Sequence, residues 1–319
     1  MAMDLSIVKP IGEAFERTKQ ILFVPFDVGK WFVLGFCAFL AGLGEGGWGW
    51  PGGDENGGRG IWHEPGECFD GVDQALGWVR EHLSWIILIG SILFVVAVTL
   101  TALLAWLRSR GKFMFLDGIA HNRGAVVEPW HRFRQLGNSL FGFSFFLMLL
   151  QLMTVALITM IVGMVAWHDI DAGEFGVHAI VALSVGGVLT LLATLVFLTL
   201  NLLLDHLVVP AMYARNVVVM EAWSIVRHGL LSAHTGAIIL FFVMKFILGI
   251  VLTVIAVITT VVTCCCLVAL PYIGTVILLP ILVFNQCYTL CFLEQFGPGW
   301  RFFTVNRDSQ TPQDKSIEV

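Results

Sequence analysis

Charge is what this 319-residue chain has least of. Lys, Arg, Asp and Glu together make up 13% of it and 57% is hydrophobic, with a mean hydropathy of +0.85. A soluble globular chain is about a quarter charged, so this composition excludes an ordinary soluble domain. A cleavable secretory leader is not expected, because the first 20 residues alternate charge with hydrophobe and hold no continuous apolar stretch. The phosphate-loop signature G-x-x-x-x-G-K-[ST] is missing. So are H-E-x-x-H, G-x-S-x-G and any paired carboxylates inside an apolar run. With them goes the sequence support for an enzyme, and no catalytic residue is assigned. The seven cysteines form no disulfide framework. Cys68 stands alone in a long loop, and a bridge to Cys264, Cys265 or Cys266 is left open. Cys287 and Cys291, at i,i+4, read as small packing residues rather than soft-metal ligands.

What the chain has instead is long apolar runs. Trp85–Leu107, Leu140–Trp167, Ala179–Leu204 and Ala237–Leu270 each exceed the roughly 20 helical residues that cross a hydrocarbon core. Val276–Leu293 is a fifth, interrupted by Pro280. Trp31–Gly44 is a sixth and shorter one, about 21 Å of helix at 1.5 Å per residue, and whether it spans fully is left open. The expected fold is therefore all-α and polytopic, a single membrane domain over 1–297. Its six spans lie near 28–48, 85–107, 139–167, 178–204, 237–262 and 273–296. A disordered cytoplasmic tail is expected over 298–319.

The few charges are sorted. Fifteen of the eighteen basic residues fall on one side of this arrangement, against Arg59 and Arg80 on the other and Lys245 within a span. The positive-inside tendency then puts both termini in the cytoplasm of a cell with an inner (plasma) membrane.

A short phrase recurs on that basic side. "EAFERTK" (13–19), "EPWHRFR" (128–134) and "EAWSIVR" (221–227) each set a glutamate, an aromatic two residues on and a basic residue six on. These are Glu13, Phe15 and Lys19; Glu128, Trp130 and Arg134; Glu221, Trp223 and Arg227. Each precedes an odd-numbered span with helical amphipathic spacing, and Glu13–Arg17 and Glu128–Arg132 are i,i+4 pairs. The expectation is three interfacial helices, apolar side toward acyl chains and aromatics at headgroup depth, each leading into a transmembrane hairpin. Arg123 and Arg215 precede the second and third copies and extend the repeat upstream.

This plan resembles the membrane domain that accompanies some bacterial glycerophosphoryl diester phosphodiesterases. It is also similar to a loose set of uncharacterised six-span prokaryotic proteins. The opening "AFERTKQILFVPF" running into "KWFVLGF" carries the resemblance most specifically, over about residues 5–297. The catalytic barrel of that family is absent, so the resemblance implies a membrane module and no activity.

Several polar groups are candidate sites. The glycine-rich stretch 42–60, with Trp48 and Trp50, reads as a flexible loop at the outer interface. His63, Glu64, Glu67 and Cys68 match no zinc spacing, and Pro65–Gly66 makes them a turn. Residues 72–83 read as a short outer helix. Lys245 is the most informative single residue, because a bare ammonium at mid-bilayer costs about 2.5–3.5 kcal/mol on insertion scales. Its candidate partners are Glu294 and Asp205. Gln151, Asn201 and Asn285 are further intramembrane polar candidates, each explained more simply by an interhelical hydrogen bond. Asp205 also sits with His206, His228 and His234 in the connection between spans four and five.

The leading functional expectation is a non-enzymatic module that engages membrane lipids, a protein partner or a second copy through its interfacial helices. The alternatives are a small-solute or ion transporter with a polar path around Lys245, and a membrane-embedded hydrolase. No cofactor, metal or nucleic acid is implied.

Overall fold

The computed structural model describes residues 6–43, 82–171, 176–263 and 271–303. The glycine-rich loop beyond residue 43, the 63–68 cluster, the 72–81 part of the expected outer helix, Cys264–Cys266 and residues 304–319 lie outside them.

All regular structure among the described residues is helical: α1 (Lys9–Phe23), α2 (Val28–Gly42), α3 (Leu83–Ala120), α4 (Val127–Arg132), α5 (Arg134–Asp171), α6 (Val177–Leu203), α7 (Val209–Arg215), α8 (Val219–Ile225), α9 (Ser232–Val262), α10 (Pro271–Ile277) and α11 (Leu279–Glu294). Four stretches are long and apolar enough to cross a membrane: Ile87–Ala120, Arg134–Trp167, Ala179–Arg215 and Val219–Val262. Val28–Gly42 and Leu279–Glu294 are apolar but shorter, at 15 and 16 residues.

Local chemistry sets the breaks. Asp27 caps α2, its carboxylate accepting the Gly29 and Lys30 amides at 2.8 and 3.3 Å. α6 passes into α7 through a π-helical turn, Leu204–Val208, closed by the Val209 amide on the Leu204 carbonyl. Pro210 follows at once. It has no N–H to give the preceding turn, so the helix widens there and does not stop. Pro280 likewise falls in the first turn of α11, where a missing donor costs nothing. A second π turn, Val226–Leu231, joins α8 to α9, and His234 leaves helical geometry at φ −137°, ψ 36°.

α11 is the axis of the packed region. Val283, Cys287, Tyr288, Thr289, Leu290, Phe292 and Leu293 are fully buried, and a helix that is apolar all round belongs at a centre. α1 packs along one side of it and α2 touches another; α2 in turn packs on α3 and α10. Phe241 of α9 stacks on Phe292 and Tyr288, with centroids 4.3 and 5.6 Å away. α2 and α3 cross at backbone distance, where a β-carbon on Gly111 would lie 2.6 Å from Leu40 and Ala41 main-chain atoms. α5 and α6 pack against each other, and most of their surface is exposed.

The stretch following α11 is folded onto it. Glu294 Oε1 accepts the Phe302 and Phe303 amides at 3.0 and 3.1 Å, and Trp300 and Phe302 are buried. Pro298–Phe303 is thus part of the base, although the sequence reading placed it in the tail.

Candidate functional site

The π turn carries two polar residues into the contact zone of four helices. Asp205 meets Lys112 Nζ at 2.5 Å and Arg108 Nη2 at 3.5 Å, both from α3. Its neighbour His206 meets Lys245 Nζ through Nδ1 at 3.1 Å. Lys245 also donates to Thr289 Oγ1 at 2.5 Å, and its ammonium lies 5.7 Å from the Phe241 ring centre. Thr289 passes its own hydrogen to the Asn285 carbonyl at 3.2 Å. An ammonium has three hydrogens to place and a neutral imidazole nitrogen can accept one. Two of its three hydrogens are thus placed on neutral acceptors, with no carboxylate in direct contact.

That corrects the expected partners. Asp205 is taken by Lys112 and Arg108, and Glu294 is taken by the backbone amides after α11. The candidate path is also not gathered. Asn201 turns its amide back to the Phe197 carbonyl of its own helix at 3.0 Å, and Gln151 stands midway along α5, outside the cluster. Asn285 contributes its main-chain carbonyl rather than its side chain.

A second cluster centres on Asp117, a residue the sequence reading passed over. It is fully buried and receives Tyr213 OH at 3.0 Å, Arg123 Nη2 at 3.1 Å and His121 Nδ1 at 3.1 Å. Arg123 reaches on to Glu128 at 2.8 Å. Hydrogen bonds to Glu128 and then to Asp117 raise the guanidinium's pKa above its ordinary value. A lone acid inside "FMFLDGIA" was the available signal, since an apolar run tolerates a carboxylate only where donors await it.

The three repeated phrases do form helices, α1, α4 and α8, but their charges pair otherwise than expected. Glu128 bonds Arg123 rather than Arg132. Glu13 lies 3.9 Å from Lys9, and Arg17 stacks 4.6 Å from the Phe303 ring. The apolar stripe of α1 is largely covered by protein, with Ala14, Thr18 and Leu22 buried along α11, while Phe15 stays 63% exposed. Trp130 meets Trp106 edge-on at 5.8 Å, and the buried Arg110 guanidinium sits 4.3 Å from the Trp106 ring centre and 4.7 Å from that of Trp130. Gly137 permits this: a β-carbon there would come 2.8 Å from Arg110 Cγ. Trp223 packs 6.3 Å from Phe143. Lys19, Arg132, Arg134, Glu221 and Arg227 point to the exterior. Among the described residues, no three His, Cys, Asp or Glu gather where a metal ion could sit.

Membrane-length apolar helices rising from a buried, charge-bearing base define a helical membrane protein. More narrowly, the chain belongs to a family of unknown function, DUF7544, whose sequence model matches residues 5–293. No curated protein and no solved structure matches it. None of these comparisons links the chain to glycerophosphoryl diester phosphodiesterases.

Proposed function

We propose that this protein is a non-enzymatic integral membrane module whose basic face engages anionic lipid headgroups. The observation that carries this is a set of exposed cations with no carboxylate partner among the described residues. Lys19, Arg132, Arg134, Arg227 and Arg301 are exposed, and so are the apolar side chains Phe15, Phe23, Phe26, Val127 and Met220 on the same or adjoining elements. Cations next to apolar side chains suit a surface at headgroup depth, where the first meet phosphates and the second enter the acyl boundary. The reading takes α2 and α11 as short first and sixth spans in a locally thinned bilayer. It also takes this face as cytoplasmic in an inner membrane, on the bias of the basic residues.

The test is native mass spectrometry of purified protein carrying Arg132→Glu and Arg134→Glu. Fewer co-purifying anionic lipids than wild type is the expected result. An unchanged lipid complement sinks the reading.

A second reading rests on Lys245 hydrogen-bonded to His206 and Thr289 inside apolar spans, a placement that in membranes commonly marks a solute or proton route. It requires Lys245→Met to abolish flux in proteoliposomes while the protein still inserts. The dispersed positions of Gln151 and Asn201 make it the weaker of the two.

A further inference from the structure

Away from both polar clusters, a cavity of about 220 Å³ opens between the end of α7, the second π turn and the segment after α11. Its polar groups are Arg215 and His234; its walls are Ile225, Leu230, Phe296 and Trp300. The Arg215 guanidinium has no carboxylate partner among the described residues. It is held 5.8 Å from the Trp300 ring centre, and Gly299 makes room, since a β-carbon there would lie 2.9 Å from Nη2. His234 leaves helical geometry at this point and packs its ring 5.5 Å from Phe296, with neither ring nitrogen bonded to another described residue. Glu294, the one acid on α11, has Oε1 engaged by the Phe302 and Phe303 amides, and the exposed Glu221 makes no ion pair with Arg215.

We propose that this cavity is a binding site for a phosphate group. A guanidinium offers a planar fork of donors suited to phosphate oxygens, and an imidazole adds one donor more. The cation–π contact with Trp300 biases the fork toward the cavity before the ligand arrives, which lowers the ordering cost of binding. The volume is below the roughly 300–1,000 Å³ of pockets for drug-sized ligands, so the cavity holds a headgroup-sized moiety with any chain left outside. The inference rests on the proposed function only in placing this face among headgroups; the phosphate comes either from a lipid or from a free small molecule.

The experiment uses the full chain in maltoside micelles, titrated with phosphatidylglycerol and separately with inorganic phosphate, and read by native mass spectrometry. Wild type should take up one tightly held ligand. Arg215→Gln should weaken that step about tenfold, the loss expected for a charge-assisted contact. Gly229→Leu keeps a folded control, because a β-carbon at Gly229 meets nothing within 4 Å and the longer side chain fills the cavity mouth. Saturable binding of phosphatidylglycerol alone identifies a lipid headgroup as the source, whereas binding of inorganic phosphate that displaces the lipid identifies a free phosphate. If neither probe's affinity changes in Arg215→Gln or Gly229→Leu, the site does not exist. Arg132→Glu with Arg134→Glu leaves this single step intact while reducing general lipid enrichment, so the two proposals fail separately.

Discussion

The two ends of α3 belong to one membrane-length apolar helix and live in different surroundings. Every residue from 87 to 101 is exposed, whereas every residue from 113 to 120 is buried. α9 repeats the contrast: Phe241 is fully buried and Phe246, little more than a turn on, is 71% exposed. Lipid tails and a protein interior are both apolar, so hydropathy does not separate a face meant for one from a face meant for the other. What separates them is the company the apolar residues keep. The buried end of α3 carries Arg108, Arg110, Lys112 and Asp117 with their partners, and Gly111 and Gly118 against α2. The exposed end carries only Ser and Thr as polar side chains, and Ser91, Thr99 and Thr101 bond carbonyls of their own helix.

The contrast can be broken most severely at the base. Phe241→Ala should destabilise by about 3–5 kcal/mol, because the stack on Tyr288 and Phe292 leaves little room to collapse; a thermal melt in detergent reads it. Asp117→Ala should cost about 2–3 kcal/mol by removing the buried carboxylate that Arg123, Tyr213 and His121 share, and Asp117→Asn should recover part of that. If Asp117→Asn melts as low as Asp117→Ala, the carboxylate's charge carries the interaction; if it melts like wild type, hydrogen bonding alone does. Gly111→Leu should cost about 1–3 kcal/mol, since its neighbours are backbone atoms that have no rotamer to yield. The observable is the separation of α2 from α3 between paired spin labels. Lys245→Met should cost about 1 kcal/mol, in keeping with the modest worth of hydrogen bonds between membrane helices. Phe246→Ala sharpens the comparison from the other side. It should stay within about 0.5 kcal/mol of wild type, and a loss as large as that of Phe241→Ala would place a protein partner on the outer half of α9.

Much of the architecture was legible. Four membrane-length helices follow from runs such as Leu140–Trp167, because no other stable arrangement buries so many consecutive apolar residues while pairing the backbone. Pro280 was visible as an interruption, and the small residues Cys287 and Cys291 as packing positions. The repeated phrase was right to signal helices. It misled about their apolar faces, because a stripe such as Ala14–Thr18–Leu22 reads the same whether α11 or acyl chains cover it. Arg215 and His234 share a cavity only because a π turn and the segment after α11 fold back beside them, and their separation in sequence carried no hint of it.

Composition and order along the chain determined that this protein is helical, that four of its helices are long and apolar enough to cross a membrane, and roughly where those helices lie. All of these depend on local backbone satisfaction and on burial summed along one helix. Tertiary structure decided the pairings: Lys245 with His206 and Thr289, Asp205 with Lys112, Glu128 with Arg123. An ion pair or hydrogen bond needs a partner within about 4 Å or less, and which residues come that close is settled by how helices cross, at glycines such as Gly111 and at the two π turns.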